Sequence, residues 1–477
     1  MLPIFKQKIL RMHVFILSLA IITGQLIGSG PLRAGSFSID TEKEIGEKMY
    51  SAIRKEFALV NDPDVAQYIN TLGRQVLTVA GAQYFDYRFF VIANKDFNAF
   101  AAPSGLIFFH SGLIAAMDNE EELLGVMAHE IAHVSNRHLA DRIDKAGKVN
   151  IGTIALILAG IALGSSGEGE LSEAVVTGAM ATGASMNLKF SRENEEEADR
   201  LAFSWILKMK RNPESMLSML GKMRRISILK MGNIPPYLLT HPNPTQRLSY
   251  VQDLLNIYQG RLPEHAGSDF EFQRIRYRIM AATNDNRLLI PRLTKKIKDG
   301  EDPDYLLRLG LAQIYLSEGN YEQGRKYLLE VMGKYPDRAI LKTDLGYTYL
   351  GEGLYEEALS LFRKALQDDP NDAFTIFNLA RALDQSGHTE KAIKYYEELL
   401  DMAPTYAKTH YYLGQAHPKQ GRIDMGHYHT GLYNWFEGNI TNAKYHLAKA
   451  IEKLPADSIY AKKSKEMLDK IDRLEKL

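Results

Sequence analysis

The sequence predicts a mainly α-helical protein in two halves, an α+β unit with a small antiparallel sheet followed by an all-α solenoid. Three observations predict it. The stretch from Asn119 to His138 carries apolar residues at helical spacing around a His-Glu-x-x-His pattern. Tyr84 to Ala93 and Leu106 to Phe109 are aromatic and β-branched runs of strand length. Beyond residue 300, several sets of residues recur every 34 positions.

The first of these carries chemistry. Leu124, Met127, Ile131 and Val134 form one apolar stripe, Asn119 can cap the helix start with Glu122 as its capping-box partner, and the acidic first turn suits the positive end of the helix dipole. On such a helix residues four apart superpose, so His129 and His133 point the same way and can share one tetrahedral ion. Glu130 is turned away from that pair by about 100°. It can then hold a water without ligating the ion and serve as general base.

A catalytic zinc takes three protein ligands and leaves one position open. Ser191 to Asp199 opens a second helix with Glu195 and Asp199 four apart on one face, so Glu195 is the expected third ligand. Asp199 is expected to orient a histidine or stabilise the reacting group. Glu193, Glu196 and Glu197 are expected to face solvent. In the Pro-bracketed loop Leu238 to Arg247, His241 reads as structural, as part of a hinge, or as functional.

Composition excludes some functions. Lys plus Arg equals Asp plus Glu at 58 each, so no overall basic field attracts nucleic acid, and no nucleic-acid partner is expected. The 477 residues suffice for two or three domains with sizeable cores, and without cysteine the chain has no disulfides.

Residues 1–36 read as a secretory signal: Lys6, Lys8 and Arg11 precede the apolar run Val14 to Ile27, and Leu32-Arg33-Ala34 offers a cleavage point. An uncleaved anchor is the alternative. Next, Ile45, Met49 and Ile53, then Val65, Tyr68, Ile69 and Leu72, predict two helices separated by Asn61-Asp62-Pro63. The strands follow, and the segment Asn98 to Ile107 is expected either to hold peptide in extended form or to buttress the metal helix. The Gly-rich stretch 151–187 is expected to cover the site as a helical hairpin, with contact to a membrane face as the alternative.

His129-Glu130-x-x-His133, Glu195-x-x-Ala198-Asp199 and His241-Pro242 together resemble the metallopeptidase family that includes the CAAX prenyl protease and the bacterial heat-shock membrane protease. Asn98 to Ile107 is similar to that family's segment before the metal helix, and the likeness covers residues 40–260. A metzincin is excluded, since Asn136 and Leu139 stand where it needs Gly and His. The resemblance implies a gluzincin-like fold and one Zn²⁺ per chain held by His129, His133 and Glu195. It implies Glu130 as general base, Asp199 as a second acid, and His241 near the metal or the substrate oxyanion. The long membrane spans of some members are not found; the likeness is to the exported branch with tetratricopeptide repeats.

The solenoid rests on its period. Gly319, Gly353, Gly387 and Gly421 are 34 apart, as are Leu311, Leu345, Leu379 and Leu413, and Pro336, Pro370 and Pro404. Arg274 to Lys298 is expected to open the array, Gly438 to Pro455 to continue it with one helix serving two units, and Asp457 to Leu477 to cap it. The expected division is a signal at 1–36, a metalloprotease domain at 37–262 and repeats at 268–477. The expected function is an exported, periplasmic zinc endopeptidase acting on unfolded or misassembled envelope proteins, with the repeats selecting substrate or contacting outer-membrane assembly machinery. The alternative is a repeat-based assembly factor with a latched or idle protease site.

Overall fold

The computed structural model describes residues 38–146, 189–229, 236–264, 269–300 and 304–476. The expected signal at 1–36 and the expected cover at 151–187 lie outside them. The first half is layered about a three-stranded sheet of β1 (Arg88–Ile92), β2 (Ala99–Ala102) and β3 (Leu106–His110), in the order β1-β3-β2. One face packs on helix α1 (Ile39–Glu56), where Ile45, Met49 and Ile53 meet Phe100, Leu106 and Phe108. The other face, with Val91, Ile107 and Phe109, packs against α2 (Pro63–Ala80) and the metal helix Glu120–Ser135.

The sheet departs from expectation. It is mixed: β2 pairs antiparallel with β3, but β1 pairs parallel with it. Every residue of β3 is buried, so it takes the centre and meets apolar layers on both faces. β1 and β2 therefore lie at the two edges, and the connection between them must pass across β3. Residue pattern shows that β3 is doubly buried, but it does not show which neighbour runs alongside it.

The repeat half stacks helix pairs from Asp304–Ser317 onward, and the turn glycines Gly319, Gly353, Gly387 and Gly421 all have φ between +71° and +85°, where a side chain would be strained. Helix Ile423–Phe436 packs against both Ala407–Lys419 and Ile440–Lys453, so it serves two units, and Ile459–Lys476 closes the array.

The two halves are joined by more than a linker. Helix Phe270–Thr283 puts Phe272, Ile275 and Ile279 into the core of the first half and Tyr277, Met280 and Ala281 into the repeat side. Between them Arg274, fully buried, reaches Asp64 at 2.6 Å and Asp344 at 2.7 Å. The array curls back over the first half: Glu437 lies 3.5 Å from Arg54, Lys470 lies 2.7 Å from Glu47, and Gln67 donates to the Asn371 carbonyl at 2.7 Å.

Candidate metal centre

Two helices and a loop build the centre. The metal helix Glu120–Ser135 begins at Asn119, whose side chain accepts from the Glu122 N–H, while the Glu122 carboxylate accepts from the N–H of Asp118, one residue before the cap. The helix runs through the core, and His129, Glu130 and His133 are buried. Helix Arg192–Lys208 starts with a capping box between Ser191 and Asn194 and lays Glu195 and Asp199 against it. His241 follows the short helix Pro236–Thr240; its ring stacks on Tyr237 at 4.3 Å, and the Phe190 N–H holds the Thr240 carbonyl at 2.9 Å.

Four ligand atoms converge. His129 Nε2 lies 3.0 Å from His133 Nε2, 3.4 Å from His241 Nδ1 and 3.5 Å from Glu195 Oε2. Glu195 Oε1 lies 3.0 Å from His241 Nδ1 and 3.6 Å from His133 Nε2. Tetrahedral zinc with bonds of ~2.0 Å sets its ligand atoms roughly 3.3 Å apart, so the spacings fit that ion.

The charges fit as well. Glu195 and Asp199 are buried against one guanidinium, Arg247, at 2.9 and 2.7 Å, and the Glu130 carboxyl is buried nearby, so the acidic side chains outnumber the fixed cation and favour a bound metal ion. Burial alone would raise Asp199, but Arg247 and His129 outweigh it and hold the carboxyl below its usual range. Burial would raise Glu195 too, and His241 and Arg247 hold it well below. Burial and the neighbouring His129 drive His133 well below the usual imidazole range, leaving it neutral as ligation requires. Burial and Arg247 oppose protonation of His129, yet the charge of Asp199 pushes it up to about 9.

All six residues picked from the sequence meet here, with different neighbours. Asp199 Oδ1 accepts from His129 Nδ1 at 2.9 Å and from Arg247 at 2.7 Å, and Oδ2 accepts from Arg247 at 2.9 Å, so the arginine fixes the carboxylate that holds the histidine whose Nε2 faces the cluster. Glu130 accepts from Tyr237 through Oε1 at 3.3 Å, while its buried Oε2 has no hydrogen-bond partner among the described residues. Sequence reasoning missed Arg247, Tyr237, Phe190 and His138. Glu197, expected to face solvent, has its side chain 45% exposed, and its carboxylate also lies 3.2 Å from His138 Nε2. Arg247 had one signal: a cation in the first turn of helix Pro244–Ile257, where the dipole disfavours it, needs a carboxylate from elsewhere.

Comparison with known proteins agrees with this geometry. Residues 63–255 match peptidase family M48, which is zinc-dependent, and residues 304–338 and 337–405 match tetratricopeptide repeats. The chain is 30% identical over 315 residues to the beta-barrel assembly-enhancing protease of Escherichia coli (strain K12), covering 65% of this chain and 63% of that one. It is 31% identical over 313 residues to the Yersinia pestis protein of the same name, covering 64% and 63%. It is 25% identical over 226 residues to the mitochondrial metalloendopeptidase OMA1 of Schizosaccharomyces pombe, covering 47% and 64%. The chain thus spans 63% of the length of the two bacterial relatives. In this chain the segment that matches peptidase family M48 is thus followed by segments that match tetratricopeptide repeats.

Proposed function

We propose that this chain is an exported zinc endopeptidase that cuts unfolded or misassembled envelope proteins in the periplasm, its repeats choosing substrate or partner. The observation that carries the reading is the buried set His129, His133, Glu195 and His241 with Glu130 beside it, in a domain of this family. Zinc bound there would polarise the scissile carbonyl and acidify the attacking water. Glu130 takes the water's proton, its unpartnered Oε2 being free to do so. Arg247 and Asp199 hold His129, and β2, an edge strand packed beside the metal helix, receives substrate backbone in extended form.

The position of His241 Nδ1 among the ligand atoms supports a latched resting state, in which the histidine occupies the place that water and substrate need. The relatives' name supports a link to outer-membrane assembly machinery through the repeats. Among the described residues no helix is long and apolar enough to cross a membrane.

The test is casein digestion by purified full-length protein with and without a chelator, beside Glu130→Gln and His241→Ala. Chelation abolishes cleavage, and Glu130→Gln lowers it by roughly 10²- to 10⁴-fold with zinc retained. His241→Ala raises cleavage if the histidine is a latch; a loss on the order of 10²-fold instead makes it an oxyanion donor. Chelator-resistant cleavage overturns the zinc reading, and zinc-loaded protein that stays inactive even as His241→Ala favours an assembly factor with an idle site.

A further inference from the structure

His129 has Asp199 behind it; the structure gives His133 a different support. Its Nε2 points into the cluster, 3.0 Å from His129 Nε2, and its Nδ1 lies 2.9 Å from His138 Nδ1. His138 is 3% exposed, and its Nε2 lies 3.2 Å from Glu197 Oε2. An imidazole that offers its Nε2 lone pair to an ion carries its proton on Nδ1. The His133 Nδ1–H must then donate to His138 Nδ1, which leaves the His138 proton on Nε2, where it meets the Glu197 carboxylate. Shifting the protons the other way would put one on His133 Nε2, facing the other ligands.

The turn between the helices makes this contact. Arg137 has φ +52°, a left-handed conformation uncommon for a side-chain-bearing residue, and it follows Asn136, the C-cap of the metal helix. That twist starts helix His138–Ala146 with its first side chain folded back over His133, the ring centroids 5.0 Å apart. Arg137 is held in the turn by the buried Glu42 at 2.9 Å. His133 also stacks on Phe190 at 4.0 Å, which restrains the ring from turning.

We propose that His138, anchored by Glu197, is the positioning residue for His133, fixing its tautomer and ring orientation for zinc through a His133–His138–Glu197 relay. The proposal rests on the zinc reading above. Its test is zinc affinity of the full-length protein, measured by competition with a chromophoric chelator, for wild type, His138→Ala and His138→Asn. Asn is chosen because its Oδ1 occupies the place of the histidine Nδ1 and can accept the same hydrogen bond.

Wild type binds one zinc, His138→Ala binds it roughly 10- to 100-fold more weakly, and His138→Asn recovers most of the loss. Equal affinity in wild type and His138→Ala overturns the relay while leaving the zinc site standing, and equal weakening in both variants makes His138 mere packing. A wild type that binds no zinc overturns the zinc reading itself. Should His138→Ala fail to fold, imidazole nitrogen NMR of the zinc-loaded wild type decides. Protons on His133 Nδ1 and His138 Nε2 support the relay, and a proton on His138 Nδ1 overturns it.

Discussion

His129 and His133 of the metal helix and His410, His417 and His429 of the C-terminal repeats are all buried, yet their surroundings differ in kind. In the first group the ring nitrogens converge with Glu195, and each of His129 and His133 has a partner behind it. In the second, His410 and His429 face each other Nδ1 to Nδ1 at 3.0 Å, and His410 Nε2 donates to the Pro404 carbonyl at 3.0 Å. His417 lies flat on His429, the rings 4° from parallel and 5.2 Å apart. No carboxylate forms a hydrogen bond or ion pair with these three rings among the described residues. Burial and histidine content do not make a metal site; ionised carboxylates and lone pairs aimed at one point do.

The largest difference between the clusters follows from that charge. Arg247→Ala would leave Asp199 and Glu195 buried without their cation, and the metal-free protein should lose about 3–5 kcal/mol of stability, read from its chemical denaturation midpoint. Zinc should restore part of the loss. A midpoint unchanged without metal would mean that the arginine neutralises nothing there.

Acid should separate the clusters next. Burial depresses His410 and His417 to about 4 from a usual value near 6.5; Arg422 lowers His417 further, while Asp424 and Glu390 act against it. The unfolded chain therefore takes up protons first. These histidines leave stability intact above pH 6.5 and remove it progressively as pH falls through 6.5 towards 4. Hydrogen exchange across Ala407–Lys453 should accelerate between pH 7 and pH 5 more than exchange in Asp304–Asp368. Equal acceleration in the two segments would show that the stack is not what titrates.

The smallest effect is expected of His417→Leu. Both ring nitrogens of His417 are buried without hydrogen-bond partners among the described residues, so an apolar side chain of similar volume should change stability by less than about 1 kcal/mol at pH 7 and flatten the acid loss. A destabilisation of several kcal/mol would reveal a polar role in the repeats.

The legible parts of this chain were the local ones. Helical spacing placed His129, Glu130 and His133 together, a second helix offered Glu195 and Asp199, and the 34-residue period marked the array, because each pattern lies within one or two elements. His241 could be placed near the site only through family likeness, since stacking on Tyr237 and the backbone link from Phe190 to Thr240 decide where its ring goes. His138 gave no signal and Arg247 only the one at its helix start, for the same reason. The first depends on a left-handed turn at Arg137, and the second on a carboxylate pair from another helix. The sheet was expected to be antiparallel, yet β1 runs parallel to β3, because a doubly buried strand accepts a neighbour in either direction. The buried Arg274, held between Asp64 and Asp344, likewise joins residues far apart in the chain, so the boundary read from a polar stretch sits beside a helix that belongs to both halves.

Zinc analysis of the purified full-length protein, with one substitution in each histidine cluster, tests the central claim most directly. One zinc per chain is expected in wild type and in His429→Leu, and none in His133→Ala. Zinc undiminished in His133→Ala, or lost in His429→Leu, would contradict the assignment of the metal to the protease half.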